Sequence, residues 1–105
     1  MIMKKKITHL DIINNENDSF GKHPNLVVRE DDDYNGYTIT HTKDHVQYPR
    51  IKIEQEDCEY INSNFKPNRS YLTTHKNKLD KDMKYEVLNK SKESLITKFL
   101  KQLIS

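Results

Sequence analysis

The C-terminal residues Leu95, Ile96, Phe99, Leu100, Leu103 and Ile104 set the strongest limit on the fold. They recur at i, i+1, i+4, i+5, i+8 and i+9, which is the single apolar stripe of an amphipathic helix. The chain before that stripe reads in short, strand-length pieces separated by polar residues. A helix with one apolar face needs a surface to cover, and a sheet of short strands supplies it. The pattern therefore predicts a mainly β chain with a C-terminal helix (α+β), folded as a small antiparallel barrel closed by that helix. Asn89 or Ser91 is placed to cap the helix, and Glu93 suits its first turn.

The strand pieces carry their own signals. Leu26-Val27-Val28-Arg29 is β-rich and follows Pro24, which cannot sit in the middle of a paired central strand. The acidic run Glu30-Asp31-Asp32-Asp33 reads as a solvated hairpin tip. Asn35-Gly36, between two strand-like runs, predicts a tight hairpin turn, because both central residues of such a turn need positive φ. From Tyr37 to Thr42, period-2 alternation puts Tyr37, Ile39 and His41 on one face and Thr38, Thr40 and Thr42 on the other. From Tyr48 to Glu54 it turns Ile51 and Ile53 inward and Arg50 and Lys52 outward. Shorter strands are expected at Glu59 to Ile61 and Ser70 to Thr73. Near the start, Ile7, Leu10, Ile12 and Ile13 form one short apolar patch, and "NNENDS" reads as a polar loop.

Composition limits how much core these pieces can share. The 105 residues are 33% hydrophobic and 32% charged, with a mean hydropathy of −0.99, so the apolar supply suits one modest core. The expectation is one domain over 1–105, with 1–20 as an N-terminal segment and loop and 91–105 as the helix. A net charge of +2 is too mild to require a nucleic-acid partner, and Lys4-Lys5-Lys6 reads as a solvated terminus. Cys58 stands alone, which rules out an internal disulfide, favours a reducing compartment and makes it a half-buried packing residue. No run reaches membrane-spanning length and no secretory signal is apparent, so a cytoplasmic location without membrane partners is expected.

Two glycines are too few for a phosphate-cradling loop, and the five histidines lack metal-ligand spacing. No metal or cofactor is expected. What remains is His23 before a strand, Thr40 and His41 on its hairpin partner, and Arg29, Arg50 and Lys52 on neighbouring strands. If the hairpin register holds, His23 lies near the open end of a sheet that also carries Thr40. Such a group suits attack of an RNA 2′-OH on its own phosphate. That reaction needs a base, an acid and cations for the developing charge, and histidine can fill either proton-transfer role. The same residues also fit plainer roles. A His before Pro serves as a turn residue, Thr-rich strands are ordinary, and Tyr34, Tyr37, Tyr48, Tyr60 and Tyr71 serve as core or rim aromatics.

The order of the pieces adds a resemblance. "GKHPNLVV" (Gly21 to Val28), "TIT" (Thr38 to Thr40), "YPRIKI" (Tyr48 to Ile53), "SYLTTHKNKLDKDM" (Ser70 to Met83) and the closing helix follow one another. In that order the chain resembles the MazF/PemK-like (plasmid maintenance) toxins of type II toxin–antitoxin systems, from about Phe20 to the end. The resemblance implies an SH3-like barrel, usually a homodimer, that cleaves single-stranded RNA without metal and is held off by an antitoxin protein. It carries the family's catalytic Arg position onto His23 and the family's Thr or Ser onto Thr40. Lys22 or Arg50 then supplies the fixed positive charge, and Arg29, His41 and Lys52 join them as RNA contacts. The Arg-to-His change and a shorter first loop depart from the family pattern. The alternative reading is a non-catalytic SH3-like binding module, such as an inhibitor or regulator from a phage or mobile element. A third is a plain RNA-binding protein.

Overall fold

The structure, a computed structural model, describes residues 4–41, 49–61 and 65–104. Thr42, His45 and Tyr48 lie outside the described residues. Within them the chain forms β1 (Lys4–Lys6), β2 (Asp11–Asn15), β3 (His23–Glu30), β4 (Asp33–Thr40), β5 (Arg50–Lys52), β6 (Cys58–Ile61), β7 (Tyr71–Leu79), β8 (Lys84–Ser91) and α1 (Glu93–Ile104). Short 3-10 turns stand at Gln55–Asp57 and Pro67–Arg69. The strands form an antiparallel sheet in the order β1-β8-β2-β3-β4-β7-β5, with β6 also paired to β8.

The class is the expected one, mainly antiparallel β with a single C-terminal helix. The closed barrel is not. Among the described residues β5 pairs with neither β6 nor β1, so the ladder stops there. β5 is only three residues long, and the chain after it turns through Gln55–Asp57 instead of extending the sheet. α1 packs at that break, where Leu95 and Phe99 are fully buried. They join Leu26, Ile39, Ile53 and Leu72 in a core on the inner face of the sheet. Phe99 meets Tyr37 edge-on, with centroids 4.7 Å apart.

Asn89 and Ser91 do not cap the helix. Both belong to β8, where Ser91 donates its N–H and its hydroxyl to the Leu10 carbonyl. The helix start is held instead by Asp57. Its carbonyl accepts the Lys92 N–H, and its carboxylate accepts the Ser94 hydroxyl at 2.8 Å and the Lys98 ammonium.

The β3–β4 hairpin forms with its tip in the acidic run, but the turn is not at Asn35-Gly36. Glu30 pairs with Asp33 across a two-residue turn, and Asp31 takes the left-handed conformation at φ 58. Asn35 and Gly36 lie in the ladder of β4. Gly36 is needed there for close approach: a Cβ at this position would run into the Asn25 side chain. The apolar patch near the start also proves more than a patch. Ile12 and Ile13 belong to β2, which is inserted between β3 and β8, and Asn14 and Asn15 of the expected loop extend it. Among the described residues no helix is long and apolar enough to cross a membrane.

Candidate functional site

Strand register decides which polar side chains share the outer face, away from the α1 core. β3 and β4 pair Asn25 with Thr38 at the end of their ladder, and His23 and Thr40 each stand two residues beyond that pair, on the same side of their strands by alternation. β4 and β7 pair Thr40 with Tyr71, while β5 and β7 pair Arg50 with Thr73 and Lys52 with Tyr71. Paired residues point the same way from a sheet, so His23, Thr40, Tyr71, Thr73, Arg50 and Lys52 fall on one face. The intervening Ile39 and Leu72 are buried in the core and Ile51 packs against it, as the alternation predicts.

His23 is half-buried, and its Nδ1 lies 2.9 Å from the Gly21 carbonyl. A carbonyl only accepts, so Nδ1 carries the hydrogen and the neutral ring has its lone pair on Nε2. Gly21 adopts φ +95, which favours glycine and lets the chain turn back to present that carbonyl. The Lys52 ammonium sits 5.4 Å above the centroid of the Tyr71 ring and donates to the Ile53 and Pro67 carbonyls. Thr73 donates its hydroxyl to the Thr38 carbonyl at 2.9 Å, which ties β7 to β4 beside Arg50.

Next to these residues lies a buried polar network built on Asp18. Its Oδ2 accepts from Asn25 Nδ2 at 2.9 Å, Asn77 Nδ2 at 3.0 Å and the Thr38 hydroxyl. Its Oδ1 accepts the Phe20 N–H at 2.9 Å. Burial pushes the Asp18 carboxyl up, but the hydrogen bonds from Thr38, Phe20 and Asn25 and the charge of His23 outweigh it. They hold the group below the usual carboxylate value. Asn25 Oδ1 in turn accepts from Asn15 at 3.1 Å and Asn77 at 3.2 Å. The network straps the loop between β2 and β3 onto the sheet.

That strap brings Ser19 and Phe20 against His75 of β7. Ser19 Oγ is 2.6 Å from His75 Nε2, and Phe20 stacks on the imidazole with centroids 3.9 Å apart. His75 Nε2 is also 3.9 Å from Asp18 Oδ1. None of Asp18, Ser19 or His75 is apparent as a site residue in the sequence, where Asp18 and Ser19 look like ordinary solvated loop. One signal was present: Asn25 and Asn77 sit within strands, where Asn is disfavoured unless its amide has partners.

Three of the expected RNA contacts are elsewhere. Lys22 is exposed on the wall of a separate cleft of about 540 Å³, with Lys4, Glu16, Lys84 and Glu86. Arg29 lies six residues along β3 from His23, about 20 Å at strand spacing, and its Nε donates to the Asp31 carbonyl. His41 is exposed and its Nδ1 binds the Arg69 carbonyl. Cys58 is buried in the core, more deeply than a half-exposed packing residue, and burial followed by the Asp57 charge pushes its thiol up to about 11. Among the described residues no three His, Cys, Asp or Glu side chains gather as metal ligands. Comparison with protein-family models, curated proteins and solved structures finds no match to this chain.

Proposed function

We propose that this chain is a metal-independent endoribonuclease of the MazF/PemK-like kind, cleaving single-stranded RNA on the outer face of β3, β4, β7 and β5. The observation that carries the reading is the register that pairs Thr40 and Lys52 each with Tyr71 and Arg50 with Thr73, with His23 two residues beyond the Asn25–Thr38 pair. His23 Nε2, which holds the lone pair, takes the proton from the 2′-OH. The Thr40 hydroxyl positions the attacked phosphate, and the Arg50 and Lys52 cations offset the charge that builds on it. Lys22, Arg29 and His41 are left outside the cleavage centre. The same reading makes the chain a cytoplasmic protein that works as a homodimer and is neutralised by an antitoxin protein.

The test is incubation of the purified protein with single-stranded RNA in EDTA, beside His23→Ala and Thr40→Ala. Discrete cuts by the wild type, slowed about a hundredfold or more in the His23 variant, are expected. No cutting by the wild type, with RNA bound intact, identifies a binding module instead. Cutting that survives both substitutions moves the centre away from this face.

A further inference from the structure

We infer that His75 is a second proton-transfer residue of this face, the acid that protonates the departing 5′-oxygen, with Asp18 as the residue that positions it. The inference rests on the ribonuclease reading. Cleavage by a 2′-OH needs an acid as well as a base, and His23, with Nδ1 tied to a carbonyl, is arranged as the base. Of the other described histidines, His9 accepts the Arg29 N–H at the hairpin end, and His41 binds the Arg69 carbonyl. Only His75 shares with His23 the surroundings of the Asp18 carboxylate.

The His75 ring is held from several sides. Phe20 stacks on it, Ser19 Oγ meets its Nε2, and its backbone N–H donates to Thr73 Oγ1 at 3.2 Å. The charged group that faces it is Asp18 of the β2–β3 loop, whose Oδ1 is 3.9 Å from Nε2, and His23 of β3 acts on that same carboxylate. The His75 side chain is 15% exposed, so the ring is fixed yet reaches the surface. Asp18 is itself held by four donors, from Phe20, Asn25, Thr38 and Asn77. Asp18 acts on the ring by its charge at 3.9 Å and by accepting the Phe20 N–H, which holds the stacked Phe20 in place.

The step balances. His23 Nε2 takes the 2′-OH proton as the O2′–P bond forms. The P–O5′ bond breaks with its electron pair on O5′, which takes a proton from the His75 imidazolium. The products are a 2′,3′-cyclic phosphate and a 5′-hydroxyl. His23 ends protonated and His75 neutral, and solvent exchange resets both.

A leaving group that needs no proton isolates this role. Single-turnover cleavage is measured across pH 5 to 9 for a short RNA with an ordinary 5′-oxygen, and for the same RNA with sulfur bridging at that 5′ position. For His75→Ala and His75→Gln we expect a loss of about a hundredfold to ten-thousandfold on the oxygen substrate. The fall in wild-type rate at high pH should vanish in these variants. Rates on the sulfur substrate should return to near wild type, which also shows that the variants are folded. Wild-type rates on the oxygen substrate, or equal losses on both substrates, overturn the role of His75 and leave the ribonuclease reading standing. Failure of the wild type to cut either substrate overturns that reading, and this inference with it.

Discussion

Gly36 shows how one residue couples the local chain to the buried polar layer. It lies in β4 between Val27 of β3 and Asn77 of β7, and an added Cβ would strike the Asn25 carboxamide. That carboxamide cannot move away without cost, because its oxygen accepts from Asn15 and Asn77 and its nitrogen donates to Asp18. Gly36→Ala is therefore expected to destabilise the protein by about 1–3 kcal/mol. Urea denaturation of the variant beside the wild type measures this. Unchanged stability would mean that the Asn25 side chain has room to shift.

At the scale of elements, α1 depends on a residue far from it in sequence. Asp57 accepts from Ser94 and Lys98 and also receives the Glu54 N–H at 2.9 Å. Burial raises the Asp57 carboxyl, but the Lys98 hydrogen bond, those of Glu54 and Ser94, and the Lys98 charge hold it below its ordinary value of 3.8. A depressed carboxylate stabilises the fold fully above its unfolded pKa, and that contribution is lost as pH falls through the lower folded value. Asp57→Asn should thus lower stability by about 1–2 kcal/mol at pH 7, the smaller end reflecting the partly solvated Lys98 ammonium. The gap to wild type should narrow as pH drops below about 4. Thermal melts between pH 2 and 7 provide the measurement, and a gap constant in pH would show that Asp57 acts without its charge.

For the whole molecule, the net charge of +2 matters less than where the cations stand. Among the described residues the lysines and arginines of the proposed RNA face are Arg50 and Lys52, whereas Lys22 and Arg29 are elsewhere. Two phosphate contacts on a single strand correspond to a slope of about −1.4 in log affinity against log salt. Binding to a DNA strand, which lacks the 2′-OH and stays uncut, can be followed by fluorescence anisotropy. Arg50→Ala should flatten the slope by about 0.7, and Arg29→Ala should leave it unchanged. The reverse result would place the nucleic acid at the hairpin end.

The helix, the inward turn of Ile39, Ile51 and Ile53, and the outward turn of Thr40, Arg50 and Lys52 were legible in the sequence. Each rests on the period of one segment, and period is a local property of backbone geometry. The hairpin itself was legible too, but not its turn, because Asn-Gly marks both positive φ and close backbone approach, and only packing tells these apart. β2 and β8 went unread for a related reason: their ladder joins residues such as Asp11 and Lys90, whose pairing no local pattern encodes. The Asp18 network lies at the far end of this scale. Asn77 reaches Asp18 across 59 residues of sequence, and Ser19 meets His75 across 56. A buried charge is stable only where several donors converge on it, and that convergence arises only once β3, β4 and β7 are side by side. Sequence alone therefore determined which side chains face outward at the candidate site. Tertiary structure decided which of them meet, and brought His75 and Asp18 among them.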